Sequence, residues 1–240
     1  MWQVERVEEA SSTNALAREQ ARGGTPDGTV IVAARQTGGH GQHGRAWHSP
    51  EGGLYLSIVL RDLDDPHLLT LALGNAVADV LEVAGAEPRL KWVNDVLVDG
   101  RKIAGILVEG ESTGDRFDFL VAGIGVNVNG TTADWPTPLR GQAATLEEIL
   151  GADSCIPDLE SFLLEAAEGW VRKVREGRND DIVAAWRRRD ALQGKDAGFD
   201  PDGGDAPTMR GTVRGIDDDG RLLLETERGV EAFAAGRLFA

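Results

Sequence analysis

Residues 36–53 show neither the alternation of a strand nor the 3.6-residue spacing of a helix, yet apolar runs flank them on both sides. The preceding run, residues 29–34, is β-branched and reads as a strand buried on both faces; the following one, residues 54–60, reads as a second strand. Whatever this chain folds into must therefore carry a long loop between two strands, and it reads as a functional loop. The loop places four glycines in eight residues, Gly38-Gly39-His40-Gly41-Gln42-His43-Gly44-Arg45. Glycines let backbone N–H groups turn toward an anion, and Arg45 offers a planar fork for phosphate or carboxylate. The Gly-Lys-Ser/Thr ending of a Walker loop is missing, and no helix follows as a dinucleotide fingerprint requires. A flexible surface loop is the plain alternative. His40, His43 and His48 hint at a metal, but no cysteine or carboxylate lies within their cluster.

The other elements surround this loop. Ser11-Ser12-Thr13-Asn14 offers N-caps to a helix over residues 15–22, closed by Gly23-Gly24. A helix is expected over residues 66–83, opened by Pro66, with Leu69, Leu73, Val77, Val80 and Leu81 on one stripe. Short strands over 89–92 and 96–98 lead through Asp99-Gly100, a hairpin signal, to a returning strand over 102–109. Asp115-Arg116 reads as a turn before a strand over 117–128, and helices follow over 159–174 and 182–189. Asp196 to Pro207 is rich in Gly, Asp and Pro, and three short strands come after it. The expected fold class is α+β: a mixed-sheet domain with flanking helices over residues 1–190, a linker over 191–207, and a small β-barrel over 208–240.

Composition limits the partners. The 240 residues carry 25 basic and 40 acidic side chains, a net charge of −15, which argues against nonspecific nucleic-acid binding. No apolar run approaches a membrane span, and residues 1–5 have neither the basic start nor the apolar stretch of a secretory signal. The single cysteine, Cys155, fits a reducing cytoplasm. Only Lys91, Lys102, Lys173 and Lys195 are lysines, and with so much Asp this points to a salt-rich cytoplasm. Two of the four flank Asn94-Asp95 on strands that the Asp99-Gly100 turn brings face to face. Gly123 and Gly125 sit inside an expected strand, where glycine weakens pairing unless something approaches the backbone closely; a bulge is the plain alternative. Together these segments describe a pocket for a polyanion with apolar walls.

Six segments, in order, resemble the biotin protein ligases, in the form without an N-terminal DNA-binding domain. They are Ser12-Thr13-Asn14, Gln36-Thr37 with the glycine loop through Arg45-Ala46-Trp47, Ser49-Pro50 with Gly52-Gly53-Leu54, residues 91–95, residues 101–109 and residues 123–127. The resemblance implies biotin and ATP with Mg2+ as substrates. Biotinyl-5′-adenylate forms first, and biotin then passes to one lysine of a biotin carboxyl carrier domain. By the same resemblance Lys102 contacts the biotin carboxylate and the α-phosphate, and Arg45 a phosphate. Trp47 helps enclose adenine and Asn127 lies on the nucleotide side. Ser12, Thr13, Asn14 and Gln36 bond the ureido ring, Gly39, His40, Gly41 and Gln42 close over biotin, and Gly105 lets the backbone meet it. Asn94 and Asp95 fall at the family's Asn-Asp pair, Asp95 orienting either the incoming amine or a metal-bound phosphate. A homodimer is possible, since the family uses both monomers and sheet-edge dimers.

The loop departs from the family's usual Gly-Arg/Lys-Gly-Arg, reading Gly39-His40-Gly41-Gln42. One charge-assisted hydrogen bond is typically worth ~1.5–3 kcal/mol, so the adenylate is expected to be held roughly ten- to a hundredfold less tightly. Val93 also replaces a usual Pro. Rival readings are a catalytically weak biotin- or adenylate-binding protein, and a lipoate- or octanoate-transferring relative.

Overall fold

The computed structural model describes residues 2–63, 65–114 and 116–239. A seven-stranded mixed sheet is ordered β1-β2-β3-β7-β6-β5-β4. Its strands are β1 (Gln3–Ala10), β2 (Thr29–Gln36), β3 (Leu54–Leu60), β4 (Arg89–Lys91), β5 (Asp95–Val98), β6 (Arg101–Thr113) and β7 (Arg116–Val126). Only β1 and β2 run parallel. The Asp99-Gly100 turn forms as its sequence requires, both residues at positive φ (52° and 74°), and joins β5 to β6. Asp115 of the expected Asp115-Arg116 turn lies outside the described residues.

Period-two alternation divides the apolar residues between two faces. Ile31, Val59 and Val121 meet Ala17 and Ala21 of helix α1 (Thr13–Arg22) in a small core with Phe119. Val30, Val32, Leu56, Ile58 and Leu60 point the other way, toward α2 (Leu69–Val83), in the main core. All seven residues of β3 are buried, as a continuous apolar run predicts for a central strand. Helix α2 starts three residues after Pro66, whose carbonyl accepts from Leu69 N in a preceding turn (2.9 Å). Behind it pack α4 (Ile156–Arg175) and α5 (Asn179–Arg188); the short α3 (Leu146–Leu150) carries a capping box of Thr145 and Glu148.

The sequence reading and the structure differ in two places. Strand β1 was not legible, because its two valines stand three apart among glutamates and follow no strand period. Asp196–Asp200, within the stretch read as linker, is the strand β8; its partners, Met209 and Arg237 among them, are distant in sequence. The second sheet is antiparallel, ordered β11-β10-β9-β8-β12, with β9 (Met209–Ile216), β10 (Leu222–Thr226), β11 (Gly229–Phe233) and β12 (Arg237–Phe239). Its edges β11 and β12 share no ladder among the described residues, and it forms a small separate antiparallel sheet. It docks on the large domain through Trp92, whose ring lies 6.3 Å from that of Phe199 and whose Nε1 donates to Gly220 O (3.0 Å).

Candidate active site

A cavity of about 980 Å³ opens between the two sheets. Of the residues expected from sequence to serve the site, all but Gly39 line it. Gly39 lies beneath: a Cβ there would stand 2.7 Å from Ser49 Oγ and 2.8 Å from Trp47 O. The glycine loop is itself ordered by backbone pairing, Trp47 N to Gly39 O (2.9 Å) and Gly41 N to Arg45 O (2.7 Å).

At one end stands the N-terminus of α1, where Ser12, Thr13 and Asn14 are buried. Gln36 Oε1 accepts from Thr13 N (2.8 Å) and Thr13 Oγ1 (3.1 Å), while Ser57 Oγ donates toward Asn14 Oδ1 (2.6 Å). Asn14 Nδ2 donates to Glu109 Oε2 (2.8 Å), a carboxylate also ion-paired with Arg18 and lying 3.8 Å from His40 Nε2. Burial pushes the Glu109 carboxyl up, but the bonds from Asn14 and Arg18 and the charges of Arg18 and His40 outweigh it and hold it below its ordinary range. The loop cation position at His40 therefore faces this carboxylate.

In the middle, Gly105 of β6 pairs directly with Gly125 of β7, in a stretch whose register is unbroken from Ala104 to Glu111; the ladder shifts only beyond it, between Glu111 and Ser112. Trp47 lies across them: a Cβ on Gly125 would fall 2.6 Å from its Nε1, and one on Gly105 3.1 Å from its Cζ3. The two glycines thus exist to let a ring sit on the backbone. Lys102 Nζ lies 5.1 Å from the Trp47 ring and is ion-paired with Asp95. Asn94 is held to β6, its Nδ2 donating to Ile106 O (2.9 Å) and its carbonyl accepting from Ile106 N (3.0 Å). Asn127, just past β7, donates to Ala144 O (3.1 Å) and Lys102 O (3.4 Å), which leaves its buried Oδ1 without a partner. The peptide between Trp92 and Val93 is cis.

The far end is positive. Arg45, Arg89, Lys91, Lys102, Lys195 and Arg237 line the cavity against the carboxylates of Asp95 and Asp196, in a chain whose net charge is −15. Burial pulls the Lys91 ammonium below its ordinary value, and Lys102, Arg237 and Arg45 add to that while Asp95 opposes it. Burial likewise lowers the Arg45 guanidinium, helped by Arg237, and its buried Nη1 has no hydrogen-bond partner. Burying unpaired donors costs free energy unless an anion meets them. The arrangement is built for one. His48 and Trp135, rings 5.0 Å apart, form an aromatic wall alongside. Sequence reasoning missed Trp135, Lys195, Arg237 and Glu109; Trp135 alone carried a local signal, a tryptophan in a polar, irregular stretch. Among the described residues no group of three His, Cys, Asp or Glu side chains is placed to hold a metal ion, and no helix is long and apolar enough to cross a membrane.

A mixed sheet bearing backbone-level glycines under a cationic cleft, capped by a small β unit, defines a class of enzyme that activates an acid with a nucleotide. The model of the biotin/lipoate A/B protein ligase family matches residues 7–127, and the chain belongs to that family. Residues 202–239 match the biotin protein ligase C terminal domain. The bifunctional ligase/repressor BirA of Bacillus subtilis is 35% identical over 226 residues, covering 92% of this chain and 69% of that protein. The biotin–[acetyl-CoA-carboxylase] ligase of Mycobacterium tuberculosis is 35% identical over 244 residues, 98% of this chain and 87% of that protein. Among solved structures, the biotin protein ligase of Aquifex aeolicus in complex with biotin and ATP superposes with a TM-score of 0.86 at 29% identity, covering 99% of this chain and 98% of that one.

Proposed function

We propose that the cleft joins biotin and MgATP as biotinyl-5′-adenylate and then passes the biotinyl group to a lysine amine of a carrier domain, the amide forming at the acyl carbon as its bond to the phosphate oxygen breaks and AMP leaves. The chain is an ATP-dependent biotin ligase. In the first step a biotin carboxylate oxygen bonds to the α-phosphorus and the bond to the β-phosphate oxygen breaks, with the electron pair leaving on pyrophosphate. Two anions must approach, so the site has to supply positive charge aimed at the developing charge. Lys102 and Arg45 do this; Lys102 can reach both anions once it leaves Asp95. That exchange frees the Asp95 carboxylate to orient the neutral amine of the incoming lysine by accepting one of its N–H bonds, or to hold a metal-bound phosphate of ATP. Asn94 serves by fixing the turn that carries Asp95, because its own amide is spent on Ile106.

Ser12, Thr13, Asn14 and Gln36 provide the buried polar end for the ureido ring, with His40, Gly41 and Gln42 closing over it and Gly39 packed beneath. Gly105 keeps the backbone open, while Trp47 and Asn127 face the nucleotide. The observation that carries the reading is the cleft itself: a neutral hydrogen-bonding end and a cationic end joined across the Gly105–Gly125 pair. Relatives named for acetyl-CoA carboxylase support its biotin carboxyl carrier domain as acceptor. The cytoplasm is the proposed location, residues 1–190 the catalytic unit, and a homodimer through the sheet edge at β1 the proposed assembly. The decisive experiment incubates the chain with biotin, MgATP and a carrier domain, reading pyrophosphate and biotinylated lysine. Pyrophosphate release without labelled lysine points to another acceptor; neither product refutes the reading.

A further inference from the structure

Ser57 stands in the middle of β3, fully buried, in register with Ile31 of β2 and Gly123 of β7. A hydroxyl at the centre of an apolar strand costs free energy unless its partners satisfy it. Ser57 lies behind the cleft wall and joins two residues that do line the cleft. Its Oγ is 2.6 Å from Asn14 Oδ1 and 2.8 Å from Thr13 Oγ1.

The neighbours fix which way each group points. Asn14 Nδ2 donates to the Glu109 carboxylate (2.8 Å), so Asn14 turns its Oδ1, a pure acceptor, toward Ser57. Gln36 Nε2 donates to Ser49 Oγ (2.9 Å), whose own proton goes to Trp47 O (3.1 Å). Gln36 Oε1 therefore faces Thr13, and it too can only accept. Between these two acceptors lie the hydroxyls of Ser57 and Thr13. The row has three oxygen–oxygen contacts, of 2.6, 2.8 and 3.1 Å, and two protons to fill them. Asn14 has no proton to give, so the shortest contact takes that of Ser57. Ser57 Oγ and Gln36 Oε1 then compete for the proton of Thr13, and Ser57 is the nearer. Gln36 Oε1 keeps the bond from Thr13 N (2.8 Å), while its contact with Thr13 Oγ1 is left short of a donor. Both oxygens of that contact belong to residues on the cleft wall.

Building on the ligase reading above, we propose that Ser57 is a positioning residue for biotin. By drawing the Thr13 proton inward it leaves Thr13 Oγ1 and Gln36 Oε1 as adjacent acceptors, which an N–H of the ureido ring satisfies. A ring of similar size without N–H groups would leave the two oxygens facing each other unpaired, so the device selects for a donor-bearing ring. Without Ser57 the Thr13 proton turns to Gln36, the demand for a ligand donor is met internally, and Asn14 Oδ1 loses its own donor.

The test compares the full chain with its Ser57→Ala and Ser57→Cys variants, measuring KM for biotin, KM for MgATP, kcat and Tm. Ser57→Ala should raise the biotin KM about three- to tenfold, the worth of one neutral hydrogen bond, while the MgATP KM and kcat stay within about twofold. Ser57→Cys keeps nearly the same size and a weak donor, so its biotin KM should fall between the two. An unchanged biotin KM in Ser57→Ala overturns the proposal. So does an equal rise in both KM values, which marks a structural role. If Ser57→Ala does not fold, Ser57→Cys decides by the same two criteria. A wild-type chain that forms no biotin-dependent adenylate would instead overturn the reading on which this rests.

Discussion

Gly123→Ala probes the biotin end by displacing Asn14 while every side chain expected to bond biotin keeps its identity. Gly123 pairs with Ser57 of β3 and Leu107 of β6, so its backbone is held by ladders on both sides and cannot retreat. An added Cβ would coincide with Asn14 Oδ1 and stand 2.9 Å from its Cγ and 3.1 Å from its Nδ2. Asn14 must therefore move. It would give up the bond from Ser57 Oγ (2.6 Å) and its own bond to Glu109 Oε2 (2.8 Å). A neutral hydrogen bond contributes about 1 kcal/mol and one to a charged group about 1.5–3, so the loss is about 2.5–4 kcal/mol. Asn14 supports both the fold and the cleft, so that loss divides between stability and binding. With about half on folding, Tm falls by about 3–8 °C for a chain of this size. The rest weakens biotin binding by about tenfold or more, with MgATP binding within about twofold. Differential scanning calorimetry and isothermal titration with each substrate separate the two. A lowered Tm with unchanged biotin affinity refutes the role given to Asn14; no change in either refutes the steric argument.

Three further outcomes are expected. Lys102→Ala should abolish adenylate formation and lysine labelling while leaving Tm within a few degrees, because its ion pair with Asp95 is partly exposed; full labelling would remove the central assignment. Gln42→Arg should slow dissociation of biotinyl-adenylate roughly ten- to a hundredfold in a chase experiment, by adding one charge-assisted bond, and an unchanged rate counts against the loop argument. Glu109 titrates below its ordinary value, so its stabilisation is present above the unfolded value of 4.5 and is lost as pH falls through the lower folded one. Glu109→Gln should therefore lower Tm near neutrality and flatten its decline as pH falls below 4.5, and parallel Tm–pH curves for the two proteins would contradict this.

The parts of this site that sequence made legible are those in which chemistry is local. Asp99-Gly100 dictates its own hairpin, Ser12 to Asn14 cap their own helix, and the glycines of the loop and of β7 announce close approach to the backbone. Order along the chain then sufficed to gather them. Arg237 and Glu109 escaped because nothing beside them in sequence marks them: each matters through a partner more than 60 residues away, Glu109 through Asn14 and Arg237 through the loop. Asp196–Asp200 escaped for a different reason: Gly198 and two aspartates look like linker until Met209 and Arg237 supply the ladder. Trp47 shows the limit from the other side. Its presence was legible, whereas its seat across Gly105 and Gly125 depends on the register of two strands.

The division of the apolar residues between two faces gives the parts of the large domain unequal permanence. Helix α2 buries eleven of its fifteen residues in the main core, whereas α1 rests on Ala17 and Ala21 against a patch of four apolar side chains. Its amides should therefore open and exchange with solvent sooner than those of α2, by local rather than global unfolding. Biotin bound at the N-terminal turn of α1 would couple its affinity to that opening, so the helix should become protected from exchange as ligand is added while α2 changes little. On the proposed reading, the element that contacts the substrate is thus the one whose own persistence the substrate sets.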